Sequence, residues 1–99
     1  FDMAAYARKM FGMYGGKEEW VRIECDNSFA GVMIDRFGKD VSMIRLDDKR
    51  FVVNVEVAVS RQFLAWIISL GEGVTLVGPD NVVEMMNIEI DRLIKQYKK

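Results

Sequence analysis

The sequence predicts an α+β fold in which helices pack on one face of a single four-stranded sheet. Two observations lead to this prediction. Residues 51–59 alternate between two sets of side chains, which is the pattern of a strand with one buried face. Residues 60–79 contain a serine, an apolar helical run, a glycine turn, a short apolar strand and a Gly-Pro break. With the segments before them, they give the order strand, helix, strand, strand, helix, strand.

Composition limits what the chain can be. With 99 residues, of which 51% are hydrophobic and 29% charged, it is long enough for one soluble domain with its own core. A formal net charge of −1 argues against a nucleic-acid-binding module, which needs a basic surface for the phosphates. We also expect a cytoplasmic location, because the sequence has neither a signal peptide nor an apolar run of ~18 residues.

Catalytic chemistry finds little support in the sequence. The absence of histidine removes catalytic triads and the commonest zinc ligand, and the single cysteine, Cys25, excludes an internal disulfide. We therefore expect no enzyme activity, no metal and no cofactor.

The first 16 residues are predicted to form a leading helix and a connection. Asp2 can cap a helix over about residues 3–11, and its apolar stripe consists of Met3, Tyr6 and Met10. Glycines at 12, 15 and 16 follow as a flexible joint. Since the chain begins at Phe1 without a methionine, we expect it to be part of a longer protein. Residues 1–16 are assigned to the connection and residues 17–99 to the domain.

The first strand and helix of the domain follow directly. Between Trp20 and Cys25 the side chains alternate, with Val21, Ile23 and Cys25 on one face and Trp20, Arg22 and Glu24 on the other. Asn27 or Ser28 can cap the next helix, which Gly38 is expected to end. The apolar positions of that helix recur at helical spacing: Phe29, Val32, Met33 and Phe37.

The next two strands are predicted to form a hairpin. Residues 41–46 and 51–59 are the strands, and the polar segment 47–50 connects them. In the second of these strands Val52, Asn54, Glu56 and Ala58 share the face opposite the apolar set.

The last third of the chain supplies two helices and a strand. Ser60 is expected to cap a largely buried helix that ends at Gly71, before a strand over 74–77. Pro79 suits the first turn of a terminal helix, whose predicted apolar stripe is Val82, Met86, Ile90, Leu93 and Tyr97. This order predicts a ferredoxin-like sandwich with an extra helix at each end, and with one face of the sheet left open.

The open face carries the candidate interface residues: Trp20, Arg22, Val52, Asn54 and Glu56, to which we add Tyr6 and Met10 of the leading helix. RNA readout is not expected, since the third strand offers no stacking aromatic on this face and the two acids of the face, Glu24 and Glu56, would repel phosphate. The acidic, arginine-free connection 25–28 likewise lacks the anion cradle of an acylphosphatase. A protein partner fits this face better, and we expect a homodimer through it or through the leading helix.

Three other residue groups have ordinary structural explanations. Trp66 lies on a helix that is apolar nearly all round and is expected to pack in the core. Cys25 is expected to act as a small buried hydrophobe, and Asp47 and Asp48 as turn residues.

Four segments of the chain carry a family resemblance: FDMAAYARKMFGMYGG, WVRIEC, DRFG and FLAWIISLGEGVTLVGPDNV. Together they resemble the C-terminal extension that follows the WYL domain in bacterial transcriptional regulators. The matching positions are Phe1, Asp2, Tyr6, Phe11, Gly16, Leu64, Trp66, Gly71, Pro79 and Tyr97.

The resemblance implies a non-catalytic regulatory and dimerisation module. The parent would carry a winged-helix DNA-binding domain and a WYL ligand-sensing domain ahead of this one. It would therefore contact DNA only through a domain that lies outside these 99 residues. The alternative is a free-standing small-molecule sensor of the ferredoxin-like type.

Overall fold

The computed structural model describes residues 17–98 of the chain. Its strands are β1 (Lys17–Asp26), β2 (Ser42–Arg45), β3 (Arg50–Val59) and β4 (Val74–Gly78). Its helices are α1 (Ala30–Phe37), α2 (Arg61–Ser69) and α3 (Asp80–Tyr97), with single 3-10 turns at Asn27–Phe29 and Gly71–Gly73. The order of these elements matches the sequence prediction, and the predicted leading helix lies outside the described residues.

The four strands form one antiparallel sheet in the order β2-β3-β1-β4. Its centre is the β1–β3 ladder, which pairs ten residues of each strand from Lys17 opposite Val59 to Asp26 opposite Arg50. The pairing of β4 with β1 is shorter and shifts register between Arg22 and Ile23. The α+β prediction is thus confirmed, with one sheet and three helices.

All three helices pack on the same face of the sheet. The sheet contributes alternate residues of β1, β3 and β4 to the core, together with Ala58 at the end of β3, and the helices contribute Met33, Phe37, Phe63, Leu64, Ile67 and Val82. Several of these side chains, such as Ile23, Val53 and Phe63, have no solvent exposure. The alternation seen in the sequence therefore separates a buried face from a face that these helices leave uncovered.

Helix α2 forms the middle of the core. The Ser60 side chain caps it as predicted, with its Oγ accepting a hydrogen bond from the Phe63 backbone N–H at 3.2 Å. Trp66 packs against the core while remaining half-buried. Its ring meets Phe37 edge to face, with centroids 5.6 Å apart, and the Arg36 guanidinium lies 5.0 Å from the ring centroid.

The start of α1 differs from the prediction. Neither Asn27 nor Ser28 caps this helix, because a 3-10 turn precedes it and Phe29 occupies the N-cap position without a side-chain hydrogen bond. The Asn27 amide instead donates to the Asp48 carbonyl at 3.0 Å and so ties the end of β1 to the β2–β3 hairpin. Gly38 ends the helix as predicted, in a positive-φ conformation.

Helix α3 also departs from the prediction at both ends. Pro79 takes the N-cap position rather than the first turn, and its carbonyl accepts from the backbone N–H groups of Val82 and Val83 at 3.0 Å. The predicted apolar stripe is only partly buried. Val82 is fully inside, but Ile90 and Tyr97 are 41% and 76% exposed.

Replacing Phe63 with alanine tests the assignment of the core. Because the ring is fully buried, we expect a loss of ~3–5 kcal/mol in the free energy of unfolding, measured by urea denaturation. The control is Ile68→Ala on the exposed side of the same helix, which should cost about 1 kcal/mol or less. Equal costs for the two variants would contradict the assignment of Phe63 to the centre of the core.

Candidate protein interface

The central part of the sheet face opposite the helices, called here the outer face, consists of Trp20, Arg22 and Glu24 on β1, Ile44 on β2, and Val52, Asn54 and Glu56 on β3. Trp20 lies opposite Glu56, and Arg22 lies opposite Asn54. Val52 is flanked by Glu24 on one side and Ile44 on the other. The structure thus brings together five of the seven predicted interface residues, while Tyr6 and Met10 lie outside the described residues.

Two apolar side chains of the outer face are largely exposed. Trp20 is 65% exposed and Ile44 is 58% exposed, whereas Val52, Asn54 and Glu56 are half-buried between their neighbours. Covering apolar area of this kind is favourable by roughly 25 cal/mol per Å². The outer face therefore combines exposed apolar anchors with charged residues of both signs, as protein-binding surfaces do.

Ile44 belongs to this surface, but it was not among the interface residues predicted from the sequence. The sequence held a usable signal, because Ser42 and Ile44 alternate with Met43 in the predicted strand. Only the pairing of Ile44 with Val52, however, assigns it to the outer face rather than to the core.

The Arg22 side chain lies close to Gly78, where β1 and β4 pair. A Cβ atom at position 78 would lie 3.2 Å from Arg22 Nη2, so the glycine leaves room for the guanidinium to lie across the strand. Beside it lies a cavity of about 190 Å³ lined by Trp20, Val21, Arg22, Asn54, Gly78 and Pro79. This volume is below the roughly 300–1,000 Å³ typical of small-molecule sites.

An ion-pair network fixes one end of the outer face. Arg50 forms salt bridges with Glu24 and Asp47, the latter at 3.0 Å. Asp47 Oδ1 also accepts the backbone N–H groups of Lys49 and Arg50, at 2.8 and 2.9 Å. The hydrogen bond from the Lys49 backbone, followed by that from the Arg50 side chain, lowers the pKa of Asp47. Asp47 therefore organises the hairpin, as the sequence predicted.

Cys25 has the environment of a structural residue. It is 1% exposed, and burial, followed by the neighbouring charges of Asp26 and Glu24, raises the pKa of its thiol to about 11. The thiolate is the reactive form, so a raised pKa makes this cysteine inert near neutral pH.

Two further features, a metal-binding cluster and a membrane-spanning helix, are absent from residues 17–98. No cluster of cysteine and carboxylate side chains within this part of the chain could hold a metal ion. None of the described helices is both long enough and apolar enough to cross a membrane.

Glu89 connects the last two helices and is the one charged residue among those described that is nearly buried, at 8% exposure. Its carboxylate forms salt bridges with Arg92 Nε at 2.7 Å and with Arg61 Nε of α2 at 3.0 Å. The hydrogen bond from Arg92, followed by that from Arg61, lowers the pKa of Glu89. The network thereby attaches the middle of α3 to the start of α2.

Glu89→Gln should make the stability of the domain less dependent on pH. Because folding lowers the pKa of Glu89, its charge stabilises the folded state above the ordinary value of 4.5, and this contribution is lost as the pH falls through the lowered pKa. The variant should therefore be less stable than the wild type at neutral pH, and the difference should shrink in acid. Thermal melts from neutral pH to about pH 3 measure this difference.

Glu84→Gln, at an exposed position of the same helix, is the control for this measurement. A stability difference between Glu89→Gln and the wild type that stays constant with pH would refute the argument.

Comparison with known proteins identifies one matching family. A search of curated proteins found no significant match. The sequence profile of the WCX domain, the C-terminal extension of WYL-domain regulators, matches residues 17–94, from the first residue of β1 to the last turns of α3. The match covers most of the chain and confirms the resemblance drawn from its motifs. The chain therefore belongs to the WCX domain family.

Proposed function

We propose that this chain is a non-catalytic regulatory and assembly module of a bacterial WYL-type transcriptional regulator, and that it works through protein–protein contacts in the cytoplasm. The family match over residues 17–94 carries this proposal. The parent protein would bind DNA through a separate domain. The formal net charge of −1 supports that division of labour, since the chain has no surplus of cations for the phosphates.

The fold, in this proposal, is of the ferredoxin-like type. The order strand, helix, strand, strand, helix, strand and the antiparallel sheet order β2-β3-β1-β4 support this description. Helix α3 is then an addition at the C-terminal end.

The outer face is the proposed contact surface for the preceding domains of the parent protein. Tryptophan and arginine, which lie side by side here as Trp20 and Arg22, are among the residue types that contribute most binding energy in protein interfaces. Glu24 and Glu56 on the same face oppose nucleic acid, and Trp20 is the one aromatic among the outer-face residues. A protein surface is therefore a better partner than RNA. We further propose that the module forms a homodimer.

Trp20→Glu tests the role of the outer face. The chain would be titrated calorimetrically against the upstream part of its parent, expressed as a separate polypeptide. We expect the substitution to weaken binding about tenfold or more, because it replaces the largest exposed apolar side chain with a charge. Since Trp20 is 65% exposed, the melting temperature should change little.

Ile68→Glu is the matched control, because it introduces the same charge at an exposed apolar position of α2, far from the outer face in the fold. It should leave binding unchanged. Binding that is lost equally in both variants, or that survives Trp20→Glu, would contradict the assignment of the outer face.

A further inference from the structure

The C-terminal half of α3 carries an apolar stripe that the described part of the domain does not cover. This C-terminal stripe consists of Ile90, Leu93, Ile94 and Tyr97, which share one side of the helix by their spacing. Ile94 and Tyr97 are 51% and 76% exposed. In the first half of the same helix, Val82 and Met86 pack in or against the core. The stripe thus continues the buried face of α3 beyond the point where the core ends.

The stripe is presented in a fixed orientation. Glu89, immediately before it, is held by Arg61 of α2 and by Arg92 of its own helix. Because this network attaches α3 to the domain just where the stripe begins, the exposed isoleucines are held ready for contact, which lowers the entropic cost of binding.

We propose that the C-terminal stripe pairs with the same stripe of a second copy, with the two helices antiparallel about a twofold axis. This inference rests on the proposed function, since it names the surface through which the module would dimerise. Such an interface is self-complementary, so one patch serves both copies.

The charges beside the stripe support an antiparallel pair. Asp91 and Lys98 are seven residues apart, which is close to two helical turns, so both flank the same edge of the stripe. When Ile90 faces Tyr97 of the other copy and Leu93 faces Ile94, Asp91 of each copy comes nearly level with Lys98 of the other. In a parallel pair, the edge that carries Asp91 and Lys98 would lie on opposite sides of the interface in the two copies, so these residues would not meet. The contact between Asp91 of one copy and Lys98 of the other therefore forms only in the antiparallel arrangement.

The size of the stripe sets the expected strength of the dimer. About two turns of helix from each copy bury less than the roughly 1,200–2,000 Å² of standard stable interfaces. We therefore expect association that depends on concentration and is visible in concentrated solution.

Sedimentation equilibrium of the 99-residue chain over a range of concentrations tests the proposal. Ile94→Glu should raise the dimer dissociation constant about tenfold or more, because it places a carboxylate of each copy in an apolar contact. Asp91→Lys should raise it roughly 2- to 30-fold, the range expected from two rim ion pairs per dimer. Adding Lys98→Asp to Asp91→Lys reverses both charges and should restore association.

Ile44→Glu on the outer face is the control, and it should leave the dimer intact. A dimer that responds to Ile44→Glu but not to Ile94→Glu would overturn the stripe as the contact surface and leave the proposed assembly role standing. A wild-type chain that stays monomeric at every concentration would overturn both the stripe contact and the homodimer. A monomer that Ile94→Glu destabilises would overturn the contact by showing that another part of the same chain covers the stripe.

Discussion

The pairing of β1 with β3 is the constraint on which the rest of the structure depends. Ten consecutive residue pairs, from Lys17–Val59 to Asp26–Arg50, decide which side chains of the two central strands point toward the helices. A slip of one residue would turn Val53 and Val55 outward and bring Asn54 and Glu56 into the core. The cost of burying those polar groups keeps the register in place.

The same ladder also creates the proposed contact surface. By directing the small and branched residues of β1 and β3 inward, it leaves Trp20, Arg22 and Glu56 together on the outer face. Helix α3 adds a second exposed surface at the other end of the chain, held by the ion pairs of Glu89. A small domain can in this way offer two separate exposed apolar surfaces, which suits the proposed role of a module that joins other domains.

The fold was predictable where a physical pattern is local. Alternation identified β1 and β3, and Ser60 and Gly38 mark helix ends for reasons that lie within a few residues. The same alternation placed the five candidate interface residues of β1 and β3 on one face of the sheet, where the structure has them. Contacts between distant segments could not be predicted: Asn27 bonds to the hairpin instead of capping α1, and Ile44 joins the outer face through its pairing with Val52. How much of α3 is buried depends on where its packing partners, β4 and α2, end. The apolar periodicity of the helix carries no information about those ends.

The accessibility of Trp20 tests most directly the claim that the outer face is an interface. A Trp66→Phe variant leaves Trp20 as the only tryptophan of the chain, so that acrylamide quenching of its fluorescence reports on the outer face alone. The measurement compares the chain by itself with the chain bound to the upstream part of its parent. Efficient quenching in the free chain and clear protection in the complex are the predicted results. Equal quenching in the two states would show that the outer face remains in solvent, and would contradict the account.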